Sequence, residues 1–267
     1  MSKDEYLITD APLKALTVFA MPMILGSFFQ QVYNMADSII VGQFVGSSAL
    51  AAVGACAALT NVFICVALGA GVGAGVLVSR YFGARNYGKM KTIVSTSLIS
   101  FLSLSILLSV LGFCFSDLMM RLLHTPADIL DDAVLYMRVS CAGILAIAAY
   151  NGVAAVLRAL GDSRTPLYFM VVSCIINIAL DLVFVIVCQW SVFGVALATV
   201  IAQLVAAIGA FIYAFCKIPI LRVNKECRRV KPDIMEKCFR LGFPIALQNS
   251  LIAFSCIFLQ RVVNGFG

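Results

Sequence analysis

Charged residues along this chain come in bursts separated by long stretches that carry almost none. Between Lys14 and Arg80 lie 65 residues with a single charge, Asp37. Between Lys91 and Asp117 lie 25 with none, and between Arg164 and Lys217 lie 52 with one, Asp181. A helix that crosses a bilayer needs about 20 mostly apolar residues. The first stretch therefore predicts two helices, broken at the Gly-rich turn 42–48, and the third predicts two more, broken near Gln189-Trp190-Ser191. The whole pattern predicts seven spans, at 15–41, 49–79, 92–116, 133–157, 166–187, 192–216 and 238–264. Helices are expected because alternation of period two is missing and the apolar runs are too long for barrel strands.

The polar segments between the spans predict orientation. Counting Lys3 and Lys14, 16 of the 19 Lys and Arg fall at the amino-terminal end or in the even-numbered connections, which carry Arg80, Arg85, Lys89 and Lys91, then Arg158 and Arg164, then the basic run 217–240. The odd-numbered connections hold only Arg121, beside Asp117, Asp128, Asp131 and Asp132. Basic loops stay cytoplasmic, so the expectation is a multi-pass protein of the inner (plasma) membrane with a cytoplasmic amino terminus. The polar start Met1-Ser2-Lys3-Asp4-Glu5 does not read as a signal peptide.

Composition closes off other classes. Hydrophobic residues make up 62% of the chain and charged residues 12%, with a mean hydropathy of +1.03. Such a chain cannot cover a water-facing surface, which excludes a soluble domain, a disordered segment and a disulfide-stapled module. The net charge of +6 is accounted for by the topological bias, so no nucleic-acid partner is expected. The ten cysteines show no C-x-x-C spacing and the one His, His124, lies in a loop, so neither a metal centre nor a cofactor is expected. No Ser/His/Asp set, Walker loop or HExxH appears, and no enzymatic activity is expected.

A repeat adds a domain plan. Leu241-Gly242-Phe243-Pro244-Ile245-Ala246-Leu247 resembles Phe19-Ala20-Met21-Pro22-Met23-Ile24-Leu25 at an offset of 222 residues. Transporters are often built from repeated halves. On that plan residues 1–216 form a six-helix lobe, 217–232 a basic cytoplasmic linker, and 233–267 the first transmembrane helix of a second lobe. The competing reading is two unrelated proline-kinked helices. The repeat implies a fragment that does not transport alone.

The chemistry sits in the isolated polar groups. A carboxylate at membrane depth costs at least a few kcal/mol and usually faces a cavity or a partner. Gly26, Gln30, Tyr33 and Asp37 share one stripe of the first span, and Ser173, Asn177 and Asp181 one face of the fifth. The sixth span offers Thr199 and Gln203, and the fourth Tyr150 and Asn151. Facing one another, these stripes would form a polar chamber around two carboxylates. Two close carboxylates in low dielectric cannot both stay charged, so the pair suits a group that gains and loses a proton, or a set of hard oxygen ligands for a monovalent cation such as Na+. The blander alternative has Asp37 solvated near the outer end of its span and Asp181 satisfied as a buried polar group. Gly69, Gly71, Gly73 and Gly75 read as small-residue helix packing or as a flexible point.

Pro22, Gln30, Asp37 and Gly42 in the first span, Gly83-Ala84-Arg85-Asn86 after the second, Arg158-Ala159-Leu160-Gly161-Asp162-Ser163-Arg164-Thr165-Pro166 after the fourth, and Asn177 with Asp181 in the fifth resemble the multidrug and toxic compound extrusion (MATE) family, over the whole chain. The resemblance implies an all-α membrane protein of twelve helices in two six-helix lobes, a monomer at full length, exporting small organic cations in exchange for H+ or Na+. In the DinF-like branch, which resembles the chain best, the cation site matches Asp37, Asn177, Asp181 and Thr199, while Gln30, Tyr33 and Asn151 match cavity positions. Ser173 and Gln203 join them as expected cavity residues on the helical stripes. In the NorM-like branch the seventh span carries a carboxylate, and residues 241–267 here contain no Asp or Glu. The competing functions are a lipid-linked precursor flippase of the same superfamily, which would want cavity cations, and a non-transporting membrane scaffold, which would not need lone carboxylates at depth.

Overall fold

The computed structural model describes residues 11–218, 221 and 231–264, without the side chains at 58, 67–70, 252–254, 256, 257, 260 and 264. Its helices are α1 (Pro12–Ile40), α2 (Ser47–Gly83), α3 (Tyr87–Leu122), α4 (Leu130–Ala159), α5 (Arg164–Leu182), α6 (Ser191–Ile212) and α7 (Pro232–Asn264). α1, α5 and α6 each run on into one wide π turn, at Val41–Val45, Val183–Val187 and Tyr213–Lys217. The first six, with those turns, are each long and apolar enough to cross a membrane. The chain is an all-α, multi-pass membrane protein. Lys3, the Arg222, Lys225, Arg228 and Arg229 of the expected linker, and the expected turn at 265–267 lie outside the described residues.

The helices outrun the apolar windows read from sequence, because hydropathy marks the hydrocarbon-crossing part and capping chemistry marks the end. α3 starts at Tyr87, five residues before the apolar run, where the Asn86 side chain accepts from the Lys89 backbone N–H at 3.2 Å. At the start of α5 the Asp162 carboxylate accepts from the N–H groups of Arg164 (3.2 Å) and Thr165 (3.0 Å). The preceding Gly161 has φ +95°, a left-handed conformation that ends α4 at little steric cost to a residue without Cβ. Pro22 and Pro244 both lie inside continuous helices. Each removes one backbone donor from its helix.

α4 is the hub, packed against α2, α3 and α6, while α5 leans on α6. Its buried Val153, Ala154 and Leu157 join Val78 of α2, Met90 and Val94 of α3 and Ala207 and Ala210 of α6 in the largest apolar cluster. α1 is held differently: it packs on α5 and buries only Ala15, Gly26 and Ile40. Large apolar side chains such as Phe28, Ile106, Val110, Ile175 and Ile208 point outward, as a bilayer-facing surface requires. α7 lies along α2, and the contact closes at Gly73, where a Cβ would run into the Cys238 carbonyl and the Gly242 N–H. The Ser97 hydroxyl meets the Cys238 thiol at 3.3 Å, and the Lys231 N–H donates to Thr96 Oγ1 at 3.4 Å. Arg138, charged within its span, donates from Nε to Ser116 Oγ at 3.1 Å and lies 5.9 Å over the Phe113 ring.

Candidate polar site in the six-helix bundle

α1, α5 and α6 bring their polar stripes to one place. The crossing of α1 and α5 is close because Gly26 has no side chain: a Cβ there would stand 2.9 Å from the Met170 methyl. That approach sets Asp37 against the buried end of α5, where Asn177 and Asp181 are 1% and 0% exposed. One amide bridges the two acids. With its NH2 turned toward them, the orientation that the network requires, Asn177 donates to Asp37 Oδ1 at 2.9 Å and to Asp181 Oδ2 at 3.2 Å. Its carbonyl then accepts from the Thr199 backbone N–H at 3.3 Å. Thr199 Oγ1 donates to the Val195 carbonyl at 3.1 Å and accepts from the Tyr33 hydroxyl at 3.3 Å.

Of these groups Tyr33, Asp37 and Thr199 open on a cavity of about 520 Å³, while Asn177 and Asp181 are buried and lie off its lining. Gln30, Tyr33, Asn151, Ser173 and Gln203 all line it, together with Asp37 and Thr199. The fit is not uniform: Asn151 spends its NH2 on the Ile147 carbonyl of its own helix at 2.8 Å. Two buried oxygens of the site, Asp181 Oδ1 and Gln203 Oε1, have no hydrogen-bond donor paired with them among the described residues. An acceptor left unpaired in a dry interior costs about 1–3 kcal/mol. Of the two, Gln203 borders the cavity and favours an occupant that donates a hydrogen bond, whereas Asp181 lies off the lining, against Asp37. No Lys, Arg or His is among the described residues lining this cavity. The two acids are balanced by neutral donors alone.

Sequence reading did not single out Asn61 of α2 or Tyr136 and Ser140 of α4, which also line the cavity. Tyr136 and Ser140 are four apart, and Asn61 is an amide within an otherwise apolar span. The polar-in-apolar signal used for Asp181 applied to them as well. Beyond the carboxylates, Ile40, Val41, Ala49, Val185, Val192 and Val195 pack as an apolar roof built from the two π turns and the starts of α2 and α6.

Comparison with known proteins gives the family. The MatE family model matches residues 22–183. The chain belongs to the MatE family. The probable multidrug resistance protein YpnP of Bacillus subtilis (strain 168) is 29% identical over 255 residues, 96% of this chain and 57% of the relative. The outward-facing structure of a multidrug resistance MATE family transporter of the MOP superfamily superposes with a TM-score of 0.87 at 28% identity, covering 93% of this chain and 55% of that one. The inward-facing structure of such a transporter superposes at 0.82 with 28% identity, over 87% and 53%. The chain spans a little over half the length of these MatE proteins.

Proposed function

We propose that this chain provides the ion-coupling lobe of a secondary active antiporter that exports organic cations in exchange for H+ or Na+. The observation that carries the proposal is the Asp37–Asn177–Asp181 cluster, whose Asp37 faces a cavity with no Lys, Arg or His among its described lining residues. Asp37, Asn177, Asp181 and Thr199 hold the coupling ion. Gln30, Tyr33, Asn151, Ser173 and Gln203 line the substrate's side of the chamber. Two unit charges about 4 Å apart attract by roughly 4 kcal/mol at an effective dielectric of 20, against about 1 kcal/mol in water. The pair therefore discriminates strongly between a charged and a neutral occupant. A proton or Na+ taken up by the acids removes the attraction that held an organic cation, and its departure restores it. The likeness to both outward-facing and inward-facing relatives supports an alternating-access cycle. Residues 1–216 would act as one lobe, 217–232 as a cytoplasmic linker, and 233–267 as the start of a second lobe. The protein would work as a monomer in the plasma membrane with its amino terminus inside.

The test is efflux of a fluorescent organic cation from vesicles bearing the full-length protein, under imposed pH or Na+ gradients. Asp37→Asn and Asp181→Asn change volume little, so both variants should reach the membrane at normal levels. Gradient-driven export should fall to background in each. Wild-type export by Asp181→Asn would sink the proposal. A flippase for lipid-linked anions is the weaker reading, because the cavity at Asp37 offers no Lys or Arg to a pyrophosphate.

A further inference from the structure

A second cavity, of about 680 Å³, lies between α1, α2, α4 and α5 at the end of the bundle that carries the α4–α5 turn. Its lining includes Ser27, Ser79, Ala155, Arg158 and Ser163. The two cavities are neighbours. Gln30, Tyr150, Asn151 and Met170 line both, so the partition between them is these four side chains. Two of the four are pinned: Tyr150 donates to the Pro166 carbonyl at 2.7 Å and Asn151 to the Ile147 carbonyl at 2.8 Å. The others are movable. Gln30 is exposed on its helix, and Met170 is an unbranched thioether whose methyl rests in the gap left by Gly26. Ile40, Val41, Val185 and Val192 pack as an apolar cluster beyond the acids, while the exposed Asn34 and Ser38 leave the chamber open along α1.

From this geometry we infer an intrabundle ion route: protons and small monovalent cations reach Asp37 and Asp181 from the cytoplasmic side through the α4–α5 cavity, past a gate formed by Gln30 and Met170. The inference rests on the antiport reading only in naming what travels. Water in the larger cavity can hydrogen-bond to Ser27, Ser79 and Gln30, and the amides of Gln30 and Asn151 continue a polar path to the acids. The route is not the substrate's. Arg158 on the outer lining repels every cation alike, so size makes the distinction: the Gln30–Met170 partition passes a small ion and stops a bulky organic cation.

Silver ion, close to Na+ in size and reactive with thiols, tests this directly, because Cys174 lines the carboxylate chamber. Inside-out vesicles carrying the full-length protein are exposed briefly to silver nitrate in chloride-free buffer. Unreacted thiols are then alkylated in denaturant, and peptide mass spectrometry reads protection at Cys174. We expect protection from the cytoplasmic face. Ala155→Phe, which fills the α4–α5 cavity, should slow it at least tenfold, and Met170→Ala should speed it several-fold. Ser79→Trp, at an exposed rim position, is the second plug should Ala155→Phe fail to fold. Cys174 unreactive from the cytoplasmic face, or reacting at an unchanged rate in the folded plug variants, would overturn the route. The labelling needs no substrate export, so its failure leaves the antiport reading standing. Equally, loss of export in Asp37→Asn leaves the route standing.

Discussion

Between Asp37 and Asp181 stands one NH2 group, and at the scale of single residues the site depends on it. A hydrogen bond from Asn177 to an ionised acid is worth about 1.5–3 kcal/mol and one to a neutral acid about 0.5–1.5 kcal/mol, and losing about 1.4 kcal/mol is a tenfold change in an equilibrium. Asn177→Leu keeps similar bulk and removes both donors. Coupled export should drop at least about tenfold at matched expression, read in the same vesicle efflux assay. Undiminished export would mean that the bridge is incidental. Much of this cluster was legible beforehand. Ser173, Asn177 and Asp181 share a face by helical spacing alone, and an acid within 52 nearly uncharged residues draws notice. The bridge itself was not legible. It depends on how closely α1 crosses α5, which follows from the fit of Met170 into Gly26. Tyr136 and Asn61 carried the same polar-in-apolar signal and were passed over, because neither bears the formal charge that made Asp181 stand out.

Among the helices, the α2–α7 contact is the one where backbone nearly touches backbone. Gly73 allows it, since any Cβ there meets the main chain of Cys238 and Gly242, which cannot swing aside as a flexible side chain can. Overpacking usually costs about 1–3 kcal/mol, and a rigid obstacle belongs at or above the upper end. Gly73→Val should therefore lower the unfolding midpoint in detergent by about 5 °C or more. Gly83→Ala is the control: a Cβ there has nothing within 4 Å, so the midpoint should hold or rise slightly. Equal midpoints for Gly73→Val and the wild type would mean that α7 is not seated on Gly73. From sequence, Gly73 was one of four glycines in a row of alternate positions, read as packing or as a flexible point. Which glycine faces a neighbour depends on the rotation of α2, which hydropathy does not report. The π turns after α1, α5 and α6 were likewise invisible, because they change the hydrogen-bond register without changing composition.

For the whole molecule the charge asymmetry predicts how the bundle lies in the membrane. The six spans alternate in direction, so the α2–α3 turn, with Arg80, Arg85 and Lys89 around it, and the α4–α5 turn, with Arg158 and Arg164, belong to one end. At the other end the one basic residue of the connections, Arg121, is already paired with Asp117, Nε to Oδ2 at 2.9 Å. The bias rests on the Lys and Arg count, in which Arg121 is the single basic residue of that end. The α2–α3 turn should then face the cytoplasm and the α3–α4 turn the outside. Asn86→Cys and Asp128→Cys, each made with Cys114 and Cys188 replaced by Ser, place a thiol in one turn or the other. In intact cells a membrane-impermeant maleimide should label Asp128→Cys and leave Asn86→Cys untouched until the membrane is permeabilised. Labelling of Asn86→Cys from outside would invert the molecule, put the α4–α5 cavity on the extracellular face, and reverse the direction of the ion route through it.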